Sequence, residues 1–311
     1  MNTDPLVAVS RAAILRAAES PRIRRVVRKH GMRAGASRFV AGETLEECLA
    51  VLAHLNADGL FANTTLLGEA VESPADAEAV VAEYETVISS LVQNELWANV
   101  ALKLTHLGLG IDEELAYGNV ERLVKHAAGL GTFIRIDMEQ SVYVDATLRI
   151  YRALRQAGLD AVGIVLQAYL RRTAADFDSL VPLSPGLRIV KGAYLEPPAL
   201  VLPTKADVDA EYTRLVERGI RSGLLIAVAT HDERIIDHVK QWTTTNKVSR
   251  DRFEFQMLYG VRPALQRRLA SEGYQVRVAT PYGPDWYPYL MRRLAERPAN
   301  VGFLLRNLIR S

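Results

Sequence analysis

The sequence FIRIDMEQSVYVDATLRIYRALRQAGLDAVGIVLQ, residues 133–167, decides the fold class. One short apolar run rich in β-branched residues begins at Phe133 and a second begins at Val162, and each is typical of a buried strand. Between them, apolar residues recur over residues 143–157 with the period of an amphipathic helix. Two strands joined by a helix form the βαβ unit of a parallel sheet, because parallel strands need a long crossover connection.

The same alternation runs through most of the 311 residues. Eight strand-like runs begin near Leu60, Asn99, Phe133, Val162, Leu187, Leu225, Phe253 and Tyr274. Helical periodicity follows them over residues 75–94, 112–128, 143–157, 174–180, 207–222, 233–243, 262–272 and 286–296. Eight such pairs after residue 59 match the size of a (β/α)8 TIM-type barrel. An open doubly wound sheet alternates similarly, but it usually has fewer strands and a glycine-rich phosphate turn that is missing after the first strand here.

Basic residues are concentrated at the N-terminus. Residues 1–40 contain nine Lys/Arg against Asp4 and Glu19, a local charge of +7 in a chain whose net charge is +2. We therefore expect an N-terminal helical arm over residues 1–58, basic in 1–40, and a (β/α)8 barrel over residues 59–311. The favoured interpretation of the arm is one or two short amphipathic helices packed on the barrel, with peripheral contact with an anionic membrane as the alternative. The overall charge is too balanced for a dedicated nucleic-acid binder.

The remaining features of the composition concern the single thiol and the cellular compartment, and they do not indicate a reaction. Cys48, the only cysteine, lies among Leu45, Leu49 and Leu52 on the apolar side of a helical pattern over residues 43–56, so a buried, inert thiol is expected. No stretch approaches 18 consecutive apolar residues and no signal-peptide pattern opens the chain. The expected compartment is the cytoplasm, with the basic arm as the candidate contact with the inner face of the membrane. We predict no metal site.

Polar side chains cluster where the strands end. The residues concerned are Lys103, Asp137, Glu139, Gln167, Arg188, Lys191, Thr230, His231, Asp232, Glu254 and Gln256. Any one of them has roughly even odds of making only a structural hydrogen bond or ion pair. Together they predict a polar ligand site, because charged groups in strands are costly unless paired or bound to ligand, and barrel active sites lie at the carboxyl ends of the strands.

An adjacent arginine pair, Arg292 and Arg293, lies on the last predicted helix, which opens at Trp286. Neighbouring arginines on a helix point about 100° apart, so a solvated face is one interpretation. The other is a carboxylate site, since guanidinium binds carboxylate with two parallel hydrogen bonds and a helix after the eighth strand can overhang the barrel mouth.

These residues resemble, in order and spacing, those of the FAD-dependent proline dehydrogenase family in its short monofunctional bacterial form. The resemblance runs from about Phe39 to Arg306. Its motifs are NVALKLT at 99–105, RIDMEQS at 135–141, VLQAYLRR at 165–172, RIVKGAYLEPP at 188–198, ATHD at 229–232, FEFQMLYG at 253–260 and YPYLMRRLAERPAN at 287–300. It implies a distorted (β/α)8 barrel with FAD across the carboxyl rim. It also implies oxidation of proline to Δ1-pyrroline-5-carboxylate by hydride transfer to flavin N5, with electrons passed to a quinone or another acceptor.

The resemblance also implies residue roles. Arg292 and Arg293 resemble the pair that binds the substrate carboxylate, with Lys103 as a third cation and Asp137 as the acid that holds these cations; these four are the catalytic candidates. The substrate-ring contacts implied are Tyr194, Leu258 and Tyr289. The flavin contacts implied are Gln167, Arg188, Lys191, Gly192, Thr230, His231 and Glu296.

The sequence departs from the family in two strands. Ala279 stands where the family has a tyrosine that covers the substrate, and the loss of this ring is expected to weaken proline binding by about 1–3 kcal/mol. In the first strand, residues 62–65 read ANTT, where the family is more apolar and usually carries an aspartate. The predicted substrate is therefore L-proline or a related secondary amino or hydrazino acid, such as hydroxyproline or an N-substituted glycine.

Two further interpretations remain at this point. A methylenetetrahydrofolate-reductase-like flavin barrel would oxidise a nicotinamide, so activity with NAD(P)H would identify it. A flavin-less binding protein would use the basic arm to bind nucleic acid or anionic lipid, and it would lack flavin absorbance.

Overall fold

The computed structural model describes Arg16 and residues 20–68 and 70–296. Eight parallel strands close into a barrel in chain order. They are β1 (Phe61–Leu66), β2 (Ala98–Leu102), β3 (Ile134–Ile136), β4 (Val162–Gln167), β5 (Gly186–Val190), β6 (Ile226–Ala229), β7 (Phe253–Leu258) and β8 (Val276–Tyr282). The predicted (β/α)8 barrel is confirmed, and the open sheet is excluded because β8 pairs with β1 over six residue pairs.

The described α-helices are α1 (Pro21–Ala34), α2 (Leu45–Ala57), α3 (Pro74–Gln93), α4 (Glu113–Gly129), α5 (Ser141–Gln156), α6 (Thr173–Leu180), α7 (Lys205–Arg221), α8 (Glu233–Thr245), α9 (Pro263–Ser271) and α10 (Trp286–Glu296). Local sequence sets several of their starts. Thr44 and Glu47 form a reciprocal capping box at α2, and Thr204 and Asp207 do the same at α7. Each element matches its predicted counterpart to within about two residues.

The strands alternate between two environments. In β7, Phe253, Phe255 and Met257 are buried in the apolar core shared with the surrounding helices. The intervening Glu254 and Gln256 point the other way, into the barrel, because successive side chains of a strand face opposite sides. The layer between strands and helices is therefore apolar, and the interior of the barrel is unusually polar.

The helical layer is distorted at the seam between β8 and β1. In a regular barrel the helix after β8 covers this seam, whereas here α2 contacts both strands. Cys48, Leu52 and Leu55 of α2 belong to the main core, and burial raises the pKa of the Cys48 thiol to about 11. Residue 58, expected as the boundary of the arm, therefore does not separate two packing units.

Helix α10 packs instead against α1 of the basic arm. Val27, Trp286, Leu290 and other apolar residues of the two helices form a second cluster, and Arg28 pairs with Asp285 at 2.8 Å. Ile23 and Val26 of α1 are exposed rather than packed in this cluster. Residues 1–15 and 17–19 lie outside the described part. No described helix is long and apolar enough to cross a membrane.

Candidate active site

The central group inside the barrel is Arg188 on β5. Its Nη1 donates to Asp137 Oδ1 at 2.7 Å and its Nη2 donates to Asn63 Oδ1 at 3.1 Å. Burial lowers the pKa of Arg188, and the nearby Asp137 carboxylate opposes that shift. Asp137 was expected to hold the substrate-binding cations; the structure places it on Arg188, so it fixes a group expected at the flavin.

Two asparagines complete this cluster, and our sequence reasoning missed both. Asn63 Nδ2 donates to Asn99 Oδ1 at 2.9 Å, across the neighbouring strands β1 and β2. Asn63 also lies opposite Ala279 of β8 in the strand register. Asparagine is depleted in strands, so its occurrence in two adjacent strands was the available signal.

A deeper charged layer lies toward the amino ends of the strands. Arg277 Nε lies 3.0 Å from both carboxylate oxygens of Glu254. Arg135 donates to Gly186 O at 3.0 Å and its guanidinium lies 5.2 Å from the centroid of the Phe133 ring. Burial lowers the pKa of Arg135 to about 9. Glu254 therefore forms a structural ion pair with Arg277, which was one of the two interpretations of this residue from the sequence.

At the end of β6, hydrogen bonds fix the rim. His231 Nε2 accepts the backbone N–H of Leu258 at 2.9 Å. The bond also positions Leu258, a candidate wall of the substrate site. Thr230 Oγ1 accepts the N–H of Asp232 at 3.1 Å, and Asp232 caps α8 by accepting from Arg234 N. Thr230, His231 and Asp232 thus form one ordered turn.

Lys191, expected at the flavin, is held by carboxylates from two elements. Its Nζ lies 2.5 Å from Asp209 Oδ1 of α7 and 3.2 Å from Asp232 Oδ2. Gly192, which follows it, has φ of +115° and lies against the Tyr169 ring, where a Cβ would come within 2.1 Å of a ring carbon. Glycine is therefore required here by backbone conformation and by Tyr169, independently of any cofactor.

Asp232 gives a pH-dependent prediction. Burial alone would raise its pKa, but bonds from Arg234 and Lys191 lower the pKa of Asp232 to about 2. Because the folded pKa is depressed, its stabilisation is complete above the ordinary carboxyl pKa of about 4 and is lost as pH falls toward 2. We expect Asp232→Asn to lower the free energy of unfolding by about 1 kcal/mol at pH 7 and by about half as much at pH 3. Urea denaturation at both pH values measures this, and an equal difference at both would contradict it.

The mouth on the side of β2 to β4 carries Lys103, Glu139 and Gln167. Lys103 follows β2 directly and is half-buried. Gln167 ends β4 and its Nε2 donates to the carbonyl of Glu139 at 2.8 Å. The Glu139 carboxylate accepts the hydroxyl of Thr105 at 2.6 Å. Three neighbouring loops are thereby joined by side-chain hydrogen bonds.

Helix α10 presents the arginine pair. Arg292 and Arg293 are both half-buried, and the Arg293 guanidinium lies 5.3 Å from the centroid of the Tyr289 ring. The cluster that buries α10 includes Leu67, after β1, and is packed by Val261, after β7, so the helix is anchored to loops at the barrel mouth. Glu296 ends α10, and its side chain lies outside the described part.

Tyr194 and Ala279 belong to the same end of the barrel. Tyr194 lies in the loop after β5, and Ala279 lies opposite Leu258 in the register of β7 and β8. The structure therefore brings the predicted flavin and substrate residues to the carboxyl ends of the strands or to the helix anchored there, whereas Glu254 lies in the deeper layer. A barrel with polar and charged side chains gathered at this end belongs to the class of α/β barrels whose binding or active site lies at the carboxyl ends of the strands.

The chain belongs to the proline dehydrogenase family, whose sequence pattern matches residues 48–306. It is 43% identical over 304 residues to the proline dehydrogenase of Deinococcus radiodurans, covering 96% of this chain and 98% of that protein. It is 42% identical over 281 residues to proline dehydrogenase 1 of Bacillus subtilis strain 168, covering 90% and 93%. These matches do not favour the folate-reductase-like or binding-protein interpretations.

A solved structure shares the fold. Proline utilization A (PutA) from Bdellovibrio bacteriovorus, inactivated by N-propargylglycine, superposes with a TM-score of 0.80 at 25% identity. The match covers 88% of this chain and 33% of the PutA chain. The chain therefore corresponds to about a third of that larger protein.

Proposed function

We propose that this protein is an FAD-dependent oxidoreductase that oxidises L-proline to Δ1-pyrroline-5-carboxylate. The observation that carries the proposal is the buried, oriented Arg188 in the mouth of the barrel, within a chain of the proline dehydrogenase family. Conversion of proline removes a hydride from the ring carbon beside nitrogen and a proton from the nitrogen. FAD, when bound, supplies the acceptor for the two electrons of that hydride.

The residues present suit a flavin. Arg188 Nε is buried and has no hydrogen-bond partner within the described ranges, so one donor of this guanidinium remains for a ligand. We propose that Arg188 and Gln167 donate to the flavin ring, while Lys191, Thr230 and His231 contact the rest of the cofactor. Gly192 and Glu296 are proposed contacts by resemblance only. Asp137 and Asn63 hold the Arg188 plane, which supports a fixed direction for its donors.

We propose that the substrate carboxylate binds Arg292, Arg293 and Lys103. Two guanidinium groups and one ammonium give a carboxylate both charge and directional donors. Tyr289, Tyr194 and Leu258 would pack against the ring, and excluding water there strengthens each ionic contact. The Nε2 of His231 accepts the Leu258 N–H, so we propose that this side chain positions the wall.

The substrate test is an anaerobic titration of the flavoenzyme followed by steady-state turnover with a dye acceptor. We expect L-proline to bleach the flavin and N-propargylglycine, which inactivates the Bdellovibrio PutA, to inactivate this protein. Hydroxyproline, pipecolate and N-substituted glycines serve as competing substrates. Failure of proline to reduce a stoichiometrically loaded flavin would refute the proposal.

Ala279→Tyr is the matched variant for substrate range. Because Ala279 lies opposite Leu258 and Asn63, a tyrosine would restore a ring beside the substrate. We expect kcat/KM for proline to rise about tenfold and turnover of bulkier substrates to fall. Unchanged ratios among the substrates would contradict this assignment.

We further propose a quinone acceptor and peripheral contact of the arm with an anionic membrane. Exposed Ile23 and Val26 lie on α1 beside exposed arginines, which suits such a surface. Turnover with quinone in anionic vesicles tests the proposal, and a rate no higher than in neutral vesicles would refute membrane contact.

A further inference from the structure

Glu139 is a buried carboxylate that the proposed chemistry does not use. It lies in the loop between β3 and α5 and is only 4% exposed. Its Oε1 accepts the backbone N–H of Thr105 at 3.1 Å, and its Oε2 accepts the Thr105 hydroxyl at 2.6 Å. Both carboxylate oxygens are therefore committed to one residue of the neighbouring loop.

That neighbouring loop carries Lys103, two residues before Thr105. The chain turns tightly there, because His106 N donates to Lys103 O at 3.2 Å. Thr105 O in turn accepts Val71 N, from the loop after β1, at 3.4 Å. Fixing Thr105 from Glu139 thus fixes the segment from which the Lys103 side chain emerges.

The charge of Glu139 is also placed for Lys103. Burial raises the pKa of Glu139, while the bonds from Thr105 and the positive charge of Lys103 oppose that shift. Glu139 and Lys103 interact through space, but no ion pair joins them within residues 20–68 and 70–296. The carboxylate therefore favours the charged ammonium through space, while both of its oxygens accept hydrogen bonds from Thr105.

We propose that Glu139 is a positioning residue that holds the Lys103 segment for binding of the substrate carboxylate. This rests on the proposed function, since Lys103 is assigned to the carboxylate there. The link to Gln167 runs through the carbonyl of Glu139 and survives any change of its side chain. Substitution at Glu139 therefore isolates the effect on the β2 loop from the effect on β4.

The test uses the flavin-loaded enzyme and the variants Glu139→Gln, Thr105→Val and the double variant. The probe is cyclopentanecarboxylate, which has a CH2 group in place of the proline nitrogen, and its binding is followed by flavin absorbance. We expect each single variant to weaken the probe and to raise the KM for proline about tenfold, with a much smaller change in kcat. The double variant should be no worse than Glu139→Gln alone, because the hydroxyl that Thr105→Val removes acts through its bond to Glu139.

Glu121→Gln is the control, since Glu121 accepts the Tyr117 hydroxyl at 3.1 Å on α4, within one helix and away from the β2 loop. Amide hydrogen exchange over residues 103–111 should quicken in the Glu139 and Thr105 variants alone. A probe affinity within twofold of wild type, equal changes of KM and kcat, or additive single effects would overturn the proposal. A wild-type enzyme that binds no probe would count against the proposed function, while unchanged exchange would count against the Glu139 contact itself.

Discussion

Replacing Glu254 by glutamine is expected to lower the free energy of unfolding by about 3–5 kcal/mol, the cost of removing one partner of a buried ion pair. Both oxygens of Glu254 contact Arg277 Nε at 3.0 Å, and the two side chains are only 13% and 15% exposed. Although burial alone would raise it, the pKa of Glu254 is lowered by Arg277 and Arg135. Without this carboxylate, the guanidinium groups of Arg135 and Arg277 would both lose a counter-charge.

Urea denaturation at pH 7 measures this effect. Glu113→Gln is the matched control, because Glu113 pairs with Arg149 at 2.6 Å on the exposed faces of α4 and α5. An exposed pair contributes only about 0–1 kcal/mol. Replacing Glu254 and Arg277 together by methionine should cost less than Glu254→Gln, since both charges of the pair are removed together and the net charge of the barrel interior does not change. A loss below about 1 kcal/mol for Glu254→Gln would contradict the assignment.

The fold was predictable because its signals are local. The period of apolar residues identifies β7 at Phe253, where both the prediction and the structure begin the strand. At β8 the prediction began at Tyr274, whereas the strand begins at Val276. Tyr274 instead contacts the rings of Phe253 and Phe255, and an apolar pattern does not distinguish a strand residue from a ring packed beside one.

The placement of α2 over β8 and β1 was not predictable in the same way. Its sequence shows an apolar face and a capping box, and these specify a helix but not its partner. The seam is available because α10 packs on α1. The position of α2 depends on contacts between residues more than 200 positions apart. The period of apolar residues along one helix does not report such contacts.

For the candidate site, the member residues were predictable from the sequence, but their pairings were not. The polar residue types and their strand positions identified Arg188, Lys191 and Asp137 as members of a site. Their pairings were beyond sequence reasoning, because Asp137 reaches Arg188 across the barrel interior and Lys191 meets Asp209 from α7. Barrel closure creates both contacts, so only the closed structure shows which charges neutralise one another.

Arg292→Gln and Arg293→Gln are each expected to lower kcat/KM for proline about 10²- to 10³-fold, because a partly desolvated carboxylate would lose one charged, directional partner worth about 2–4 kcal/mol. Most of the loss should appear in KM if the interaction is equal in the ground and transition states. Arg293 also lies over the Tyr289 ring, so its loss should disturb ring packing as well. Arg293→Lys should recover part of the loss through charge, but not the planar two-donor geometry.

Arg28→Gln, which removes an exposed pair with Asp285 next to α10, is the control and should change kcat/KM less than about twofold. Steady-state kinetics with flavin content matched among variants measures these values. Reductions below tenfold for both glutamine variants would remove the arginine pair from the carboxylate site and leave Lys103 as its main cation.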